Sequence, residues 1–468
     1  MMNRFMPLSL RIWVASFVVL STIGFTIQLA IIPYLAPALH GGDGLVANTD
    51  SVTFHRAAIE IANAINTFGW SQWSLRPQDW GHVGISSALY ALTVPKPWVL
   101  VPVASALMAL AVVMLVHVLR SAVRSERIAA TAALSLLILP STAMLTAQWH
   151  KDQIAIPSTI GMILGLLLIW RGKHAFAGVM TILGGTLGLW MVRDHVIEVM
   201  AAAAMIGTIA VALTIRWRVP SDVRGLIRLA IGAAGIAVIS QTLPSWTDQI
   251  EVSQAEWNAW EPGHGESNHR GEDSRYLPGA DDATRRATGW ASPPGQLSPD
   301  VIWYRNAWIP SGFDQRLASF ARVREASKRG TGHGCASLDM DVAFTSFANL
   351  FAYAPRAAVV ILLAPFPPSW FGSACSGGGR LLPLVSAVEM VIAYCAFTGI
   401  PLLLWQFRRQ PEIWFIVAVS LAALVIHGFI FVNVGTIFRI RYAWFTTLIA
   451  LGVAGWLTTV SRPTRVSS

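Results

Sequence analysis

Charge is what this sequence has least of. Only 13% of its 468 residues are Asp, Glu, Lys or Arg, about half the usual share of a soluble domain and too few to cover a water-facing surface. Lysine is nearly missing: four positions (Lys96, Lys151, Lys173 and Lys328) among 34 basic residues. With abundant alanine, that arginine bias points to a GC-rich bacterial genome. Three cysteines constrain little. Cys395 falls inside a hydrophobic run, while Cys335 and Cys375 flank a region expected on the oxidising side, as a disulfide or as two thiols. There is no tandem repeat, and no His or Cys spacing amounts to a metal signature. No cofactor is required, although an acid beside His55 can hold a divalent cation weakly.

What fills the chain instead is apolar. Hydrophobic residues make up 54% and the mean hydropathy is +0.54. Ten runs approach or exceed the ~20 residues that cross a bilayer core as a helix: Ile12–Leu35, Trp98–Leu119, Ile128–Trp149, Ile154–Trp170, Phe176–Val192, Val199–Ile215, Leu229–Leu243, Leu382–Trp405, Ile413–Val432 and Ala443–Val460. The expectation is an all-α polytopic membrane protein. The first run is too long for a signal-peptide core and lacks a small-residue cleavage site, so it reads as a retained span.

The net charge of +9 does not indicate nucleic acid, because the basic residues fall in short clusters between apolar runs. Arg4 and Arg11, Arg120, Arg124 and Arg127, Arg171 and Lys173, Arg216, Arg218 and Arg224, Arg408 and Arg409, and Arg462 and Arg465 all land on one side of a ten-span chain. Basic loops mark the cytoplasm, which puts both termini there, in a bacterial inner membrane.

Three shorter segments read as interfacial or re-entrant helices on the other face: 51–65, Gly81–Val94 and Ala357–Ala364. In the first, Phe54, Ala58, Ile61 and Ile65 form one helical stripe, Arg56 and Glu60 can pair at i, i+4, and Asp50 stands where an N-cap belongs. A long polar loop, about 244–355, holds 14 of the 25 acidic residues. Its first half reads as irregular; Phe313–Ser327 and Ala343–Tyr353 read as short helices. The chain thus divides into a membrane module over 1–243, with its first outer loop at 36–97, a periplasmic loop over 244–380 and a second membrane module over 381–468.

Charges on the outer face ask for a reason. Four clusters stand there: Asp50 with His55 and Arg56; WHKDQ with Lys151 and Asp152; MVRDHVIE with Arg193 and Asp194; and NVGTIFRIRY with Arg439 and Arg441. Acids and bases at headgroup depth suit a substrate that carries phosphate on a lipid. The guanidinium fork matches phosphate oxygens and stabilises charge on a leaving phosphate, while Asp50 or Asp152 can accept a proton from an attacking hydroxyl. Plainer uses exist for each. Asp50 serves as a helix cap, Lys151 and Asp152 as loop residues or an ion pair, Arg193 and Asp194 as each other's partners, and Arg439 and Arg441 as snorkelling anchors. Within the spans, Glu389 is a functional candidate by default and His427 reads as a packed histidine.

The segments TDSVTFHRAAIEIA and PSTAMLTAQWHKDQ resemble the first and second acidic loops of GT-C superfamily glycosyltransferases, which use polyprenyl-phosphate or polyprenyl-diphosphate sugars, and YAPRAAVVILLAPFPPSW and NVGTIFRIRYAWF are similar to segments of membrane proteins from exopolysaccharide and O-antigen clusters. The resemblance implies glycosyl transfer on the periplasmic face, with Asp50 and Asp152 catalytic and His55, Arg56, Lys151, Arg193, Arg439 and Arg441 binding the donor. Implied partners are the lipid-linked donor, the bilayer and other polysaccharide-assembly proteins. The first-loop motif departs from the family in having a single acid, and the large loop precedes the last three spans. A polysaccharide-repeat polymerase and a lipid-linked sugar flippase stand as alternatives.

Overall fold

The computed structural model describes residues 7–47, 49–123, 125–215, 220–242, 303–331, 337–371 and 381–461. Cys335, Cys375 and the first half of the long polar loop lie outside them. Among the described residues the chain is helical, with only two isolated β-bridges, His40 with Val46 and Ser337 with Asn433. Among the described residues, nine helices are long and apolar enough to span a membrane: Leu8–Leu35, Pro97–Ala122, Asp152–Arg171, Ala175–Val192, His195–Thr214, Ser221–Thr242, Pro383–Gln406, Pro411–Ile430 and Tyr442–Val460. The protein is therefore an all-α, multi-pass membrane protein.

The remaining expected span, Ile128–Trp149, is not straight. It forms a pair, Glu126–Ile138 and Pro140–Ala147, bent by 63°. Pro140 is the cause: it lacks an N–H, clashes with the preceding turn and drives Leu139 into extended backbone (φ −70°, ψ 126°). In an apolar interior the freed backbone groups need partners, and they have them. Thr142 Oγ1 donates to the Leu136 carbonyl at 2.6 Å and meets the Tyr442 hydroxyl at 2.8 Å. Glu389, fully buried, accepts from the Ser141 N–H at 2.9 Å. Its carboxylate thus stands at the N-terminus of the second half-helix, where the dipole favours it.

The chain forms two compact units. The first comprises Met1–Ser240, Pro365–Ala423 and Tyr442–Ser468. At its centre is Asp152–Arg171, with 83% of its apolar window buried, packed against Pro97–Ala122 and Ala175–Val192. Close approach to the latter needs glycine: a Cβ on Gly165 would lie 2.7 Å from the Gly178 carbonyl oxygen, and one on Gly178 the same distance from that of Gly165. Small residues at such contacts let backbones meet where lipid gives little hydrophobic drive.

The second unit comprises Gln241–Ala364 and Leu424–Arg441. The helix Ser311–Thr331 extends the expected Phe313–Ser327, whereas Phe347–Leu363 begins four residues after the expected Ala343 and runs on through most of the segment Ala357–Ala364 expected as a separate helix; together with Phe344 they bury Leu317, Ala321, Leu350, Tyr353 and Ala357. A buried arginine organises this core. Arg324 donates to the carbonyls of Asp339, Val342 and Phe429 at 2.8, 3.2 and 3.1 Å, with the rings of Phe344 and Tyr353 about it.

The two shorter segments near the N-terminus, expected at the interface, are helices too, Asp50–Phe68 and Gly81–Leu92. The buried stripe of Asp50–Phe68 is Ser51, Phe54, Ala58, Ala62 and Ile65, so Ala62 takes the place expected of Ile61. Asp50 is not the cap. Thr49 adopts the extended cap conformation (φ −118°, ψ 156°) and Asp50 is the first helical residue, still within the turn where the dipole favours an acid.

A candidate polar site where three loops meet

The turn Gln148–Lys151 joins the bent pair to the central span, and two glutamines fix its path. Gln153, fully buried, accepts from the His150 N–H at 2.8 Å and donates to the carbonyls of Gln148, at 2.7 Å, and Leu145. Gln148 accepts from the Val46 N–H at 3.0 Å and donates to the Gly44 carbonyl at 3.1 Å. These bonds hold the loop after the first span against the turn. Asp152 then opens the central helix, with Lys151 preceding it.

Around this turn the charges of WHKDQ and MVRDHVIE come together, joined from the first loop by Ser51 and Phe54 but not by His55 or Arg56. Ser51 Oγ is 2.8 Å from His150 Nε2, which ties the start of Asp50–Phe68 to the turn. Lys151 Nζ lies 5.9 Å from the ring centres of both Phe54 and Trp80, a cation–π distance. Arg193, from the junction after Ala175–Val192, reaches Asp152: Nη2 to Oδ1 is 2.6 Å, with the carboxylate side chain 3% and the arginine 11% exposed. Its neighbour Asp194 turns instead to Arg76 at 2.7 Å, and Arg76 also meets Asp79 at 3.1 Å and covers the Trp190 ring. Arg193 and Asp194 thus serve two different ion pairs.

Asp152 Oδ2 is buried and takes no hydrogen bond among the described residues. His82, at the start of Gly81–Leu92, is fully buried. Its ring stands edge to face with Phe54 at 4.2 Å, and its carbonyl accepts from Trp149 Nε1 at 2.9 Å. Burial above all, then the charge of Lys151, His150 and Arg193, holds this imidazole well below the usual histidine range. The cluster therefore gathers one carboxylate, two basic side chains and two histidines in a largely buried setting.

His55 and Arg56 are placed otherwise. His55 Nδ1 meets the buried Tyr90 hydroxyl at 2.9 Å, and Nε2 lies 3.7 Å from Asp43, which Lys96 also holds at 2.8 Å. Burial lowers the His55 pKa against the opposing pull of Asp43. Arg56 is exposed and Asp50 half-buried. Arg439 and Arg441 belong to the second unit. There Arg441, fully buried, donates through Nη1 to the carbonyls of Ile361 at 2.8 Å and Ala364 at 2.5 Å. A guanidinium on the last carbonyls of Phe347–Leu363 is a helix C-terminal cap, a use that the expected phosphate-binding role did not foresee.

Reasoning from the sequence missed His82, His150, Gln153 and Arg76. His150 and Gln153 flank the Lys151–Asp152 pair in WHKDQ. His82 had only a faint signal, a histidine in an apolar segment beside Trp80. Comparison with protein-family models, curated proteins and solved structures finds no match.

Proposed function

We infer that the protein transfers a sugar from a polyprenyl-phosphate or polyprenyl-diphosphate carrier to a glycan, lipid or protein acceptor at the periplasmic face of a bacterial inner membrane. The GT-C resemblance suggests this reading. One observation carries it: Asp152, with an uncommitted carboxylate oxygen, stands beside Lys151 and Arg193 where three interspan loops meet. A phosphate on a lipid is an anion held at the depth of helix ends, and paired cations there neutralise it. The acceptor oxygen attacks the anomeric carbon, the carbon–oxygen bond to phosphate breaks, and its electron pair leaves on the phosphate. Lys151 and Arg193 stabilise that charge, and Asp152 Oδ2 takes the hydroxyl proton. Asp50, in the first turn of the neighbouring helix, is the second candidate base. Arg441, bonded to the carbonyls of Ile361 and Ala364, has no part in it.

The test uses Asp152→Asn, Asp50→Asn and Arg193→Ala in the host strain, with membrane levels confirmed and envelope glycan measured. Asp152→Asn lowers product by at least about a hundred-fold, as loss of a general base does. Full product from all three variants at normal levels would sink the reading.

A lipid-linked sugar flippase is the second reading, favoured by the bent pair and the buried Glu389 at its break, since transporters build sites at broken helices. A null strain separates the two. Lipid-linked precursor piling up on the cytoplasmic side marks a flippase; precursor reaching the periplasmic side and remaining unused marks a transferase.

A further inference from the structure

The transfer step above makes no use of His82, yet no polar side chain in the cluster is more conspicuous. It is fully buried, and neither ring nitrogen has a hydrogen-bond partner among the described residues. A neutral imidazole carries one donor and one acceptor, and buried polar groups without partners are rare because each forfeits its bond to water. Packing does not require this residue type. Phe54 meets the ring edge to face, as it would meet another aromatic, and the Trp149 bond goes to the backbone carbonyl. The groups that act on the ring by charge come from two other loops: Lys151 and His150 from the turn before the central span, and Arg193 from the junction after Ala175–Val192. All three are cationic or become so on protonation. A donor ring among cations is complementary to an anion that offers acceptor oxygens.

We propose that His82 donates a ring N–H hydrogen bond to the phosphate of the lipid-linked substrate, completing with Lys151 and Arg193 a three-sided phosphate site. This rests on the preceding section only in taking the ligand to be a phosphate-bearing lipid. His82 is a binding residue in this role. The proton stays on the ring, and the electron pair of the broken bond stays on the phosphate.

The test is nitrogen NMR of the full chain, labelled at histidine ring nitrogens and reconstituted in phosphatidylcholine liposomes. His82 signals are assigned by their loss in His82→Phe, which fills the same space against Phe54. Farnesyl phosphate is the probe; farnesol and inorganic phosphate are controls. Farnesyl phosphate shifts the His82 signals and farnesol does not, while His82→Phe binds farnesyl phosphate about ten-fold more weakly. His82→Gln, which retains an N–H donor, recovers part of that loss. If the wild type binds farnesyl phosphate with the His82 signals unmoved and His82→Phe binds equally well, His82 only packs, and the proposal falls while the transferase reading stands. An equal shift with inorganic phosphate overturns the assignment to a lipid. If the wild type binds farnesyl phosphate no better than farnesol, both readings fall.

Discussion

Two arginines of the second unit show what a guanidinium does when its neighbours are backbone. Arg324 satisfies three carbonyls from separate stretches of chain. Arg324→Met keeps much of the apolar stem but leaves all three carbonyls without that donor, and costs on the order of 3 kcal/mol. Hydrogen exchange across 337–345 reads this as lost protection; unchanged protection would show that the bonds contribute little. The same knot carries a pH dependence. Burial works to raise the Asp339 carboxyl, but bonds from Arg356 and Tyr353 outweigh it and the pKa falls; the Tyr353 hydroxyl is pushed up to about 12. A depressed acid contributes stability in full above its unfolded value, near 3.9, and loses it as pH falls through the lower folded value. Protection of 337–345 therefore drops on acidification below about pH 4, and Asp339→Asn flattens that dependence. Little of this was legible. That Arg441 opposes the orientation rule could be read from the sequence, but not that it meets carbonyls some eighty residues away.

Helices were the most legible elements, because a membrane span declares itself by length and composition. The Asp50–Phe68 helix was legible from its stripe; Ile61 and Ala62, about 100° apart on the helix, fall on opposite edges of that stripe, and packing chose the side of Ala62. The bend at Pro140 was not foreseen: an apolar run looks continuous by hydropathy even where a proline breaks it. The break gives Glu389 a structural use, as the acceptor for the Ser141 N–H. Glu389→Gln keeps an acceptor oxygen and retains membrane levels and glycan product, whereas Glu389→Leu orphans that N–H and costs about 1–3 kcal/mol, seen as a lower melting temperature in detergent. Loss of product in Glu389→Gln at normal levels would instead favour the flippase. Helix contact makes a parallel prediction. Gly165→Val forces a side chain onto the Gly178 carbonyl and lowers the melting temperature, while Gly184→Ala, with open space around it, does not.

At the scale of the molecule, the candidate site was legible as residue types and loops but not as a set of pairs. WHKDQ and MVRDHVIE were visible as charge out of place, and alternation of the spans brought them to one surface. That Arg193 would choose Asp152 over adjacent Asp194, and that Ser51 would find His150, depends on how the first three loops pack, which one sequence does not encode locally. His82 was hidden for the same reason, since an apolar helix with one histidine is ordinary until both ring nitrogens are seen buried. The proposed site for a phosphate-bearing lipid lies among these loops. Its most direct test is photolabelling of the membrane-embedded protein with a benzophenone-bearing polyprenyl phosphate, followed by peptide mapping. The account predicts label on peptides containing Phe54, His82 and Lys151, competed away by farnesyl phosphate and not by farnesol. Label confined to the apolar faces of the spans, indifferent to either competitor, would contradict it.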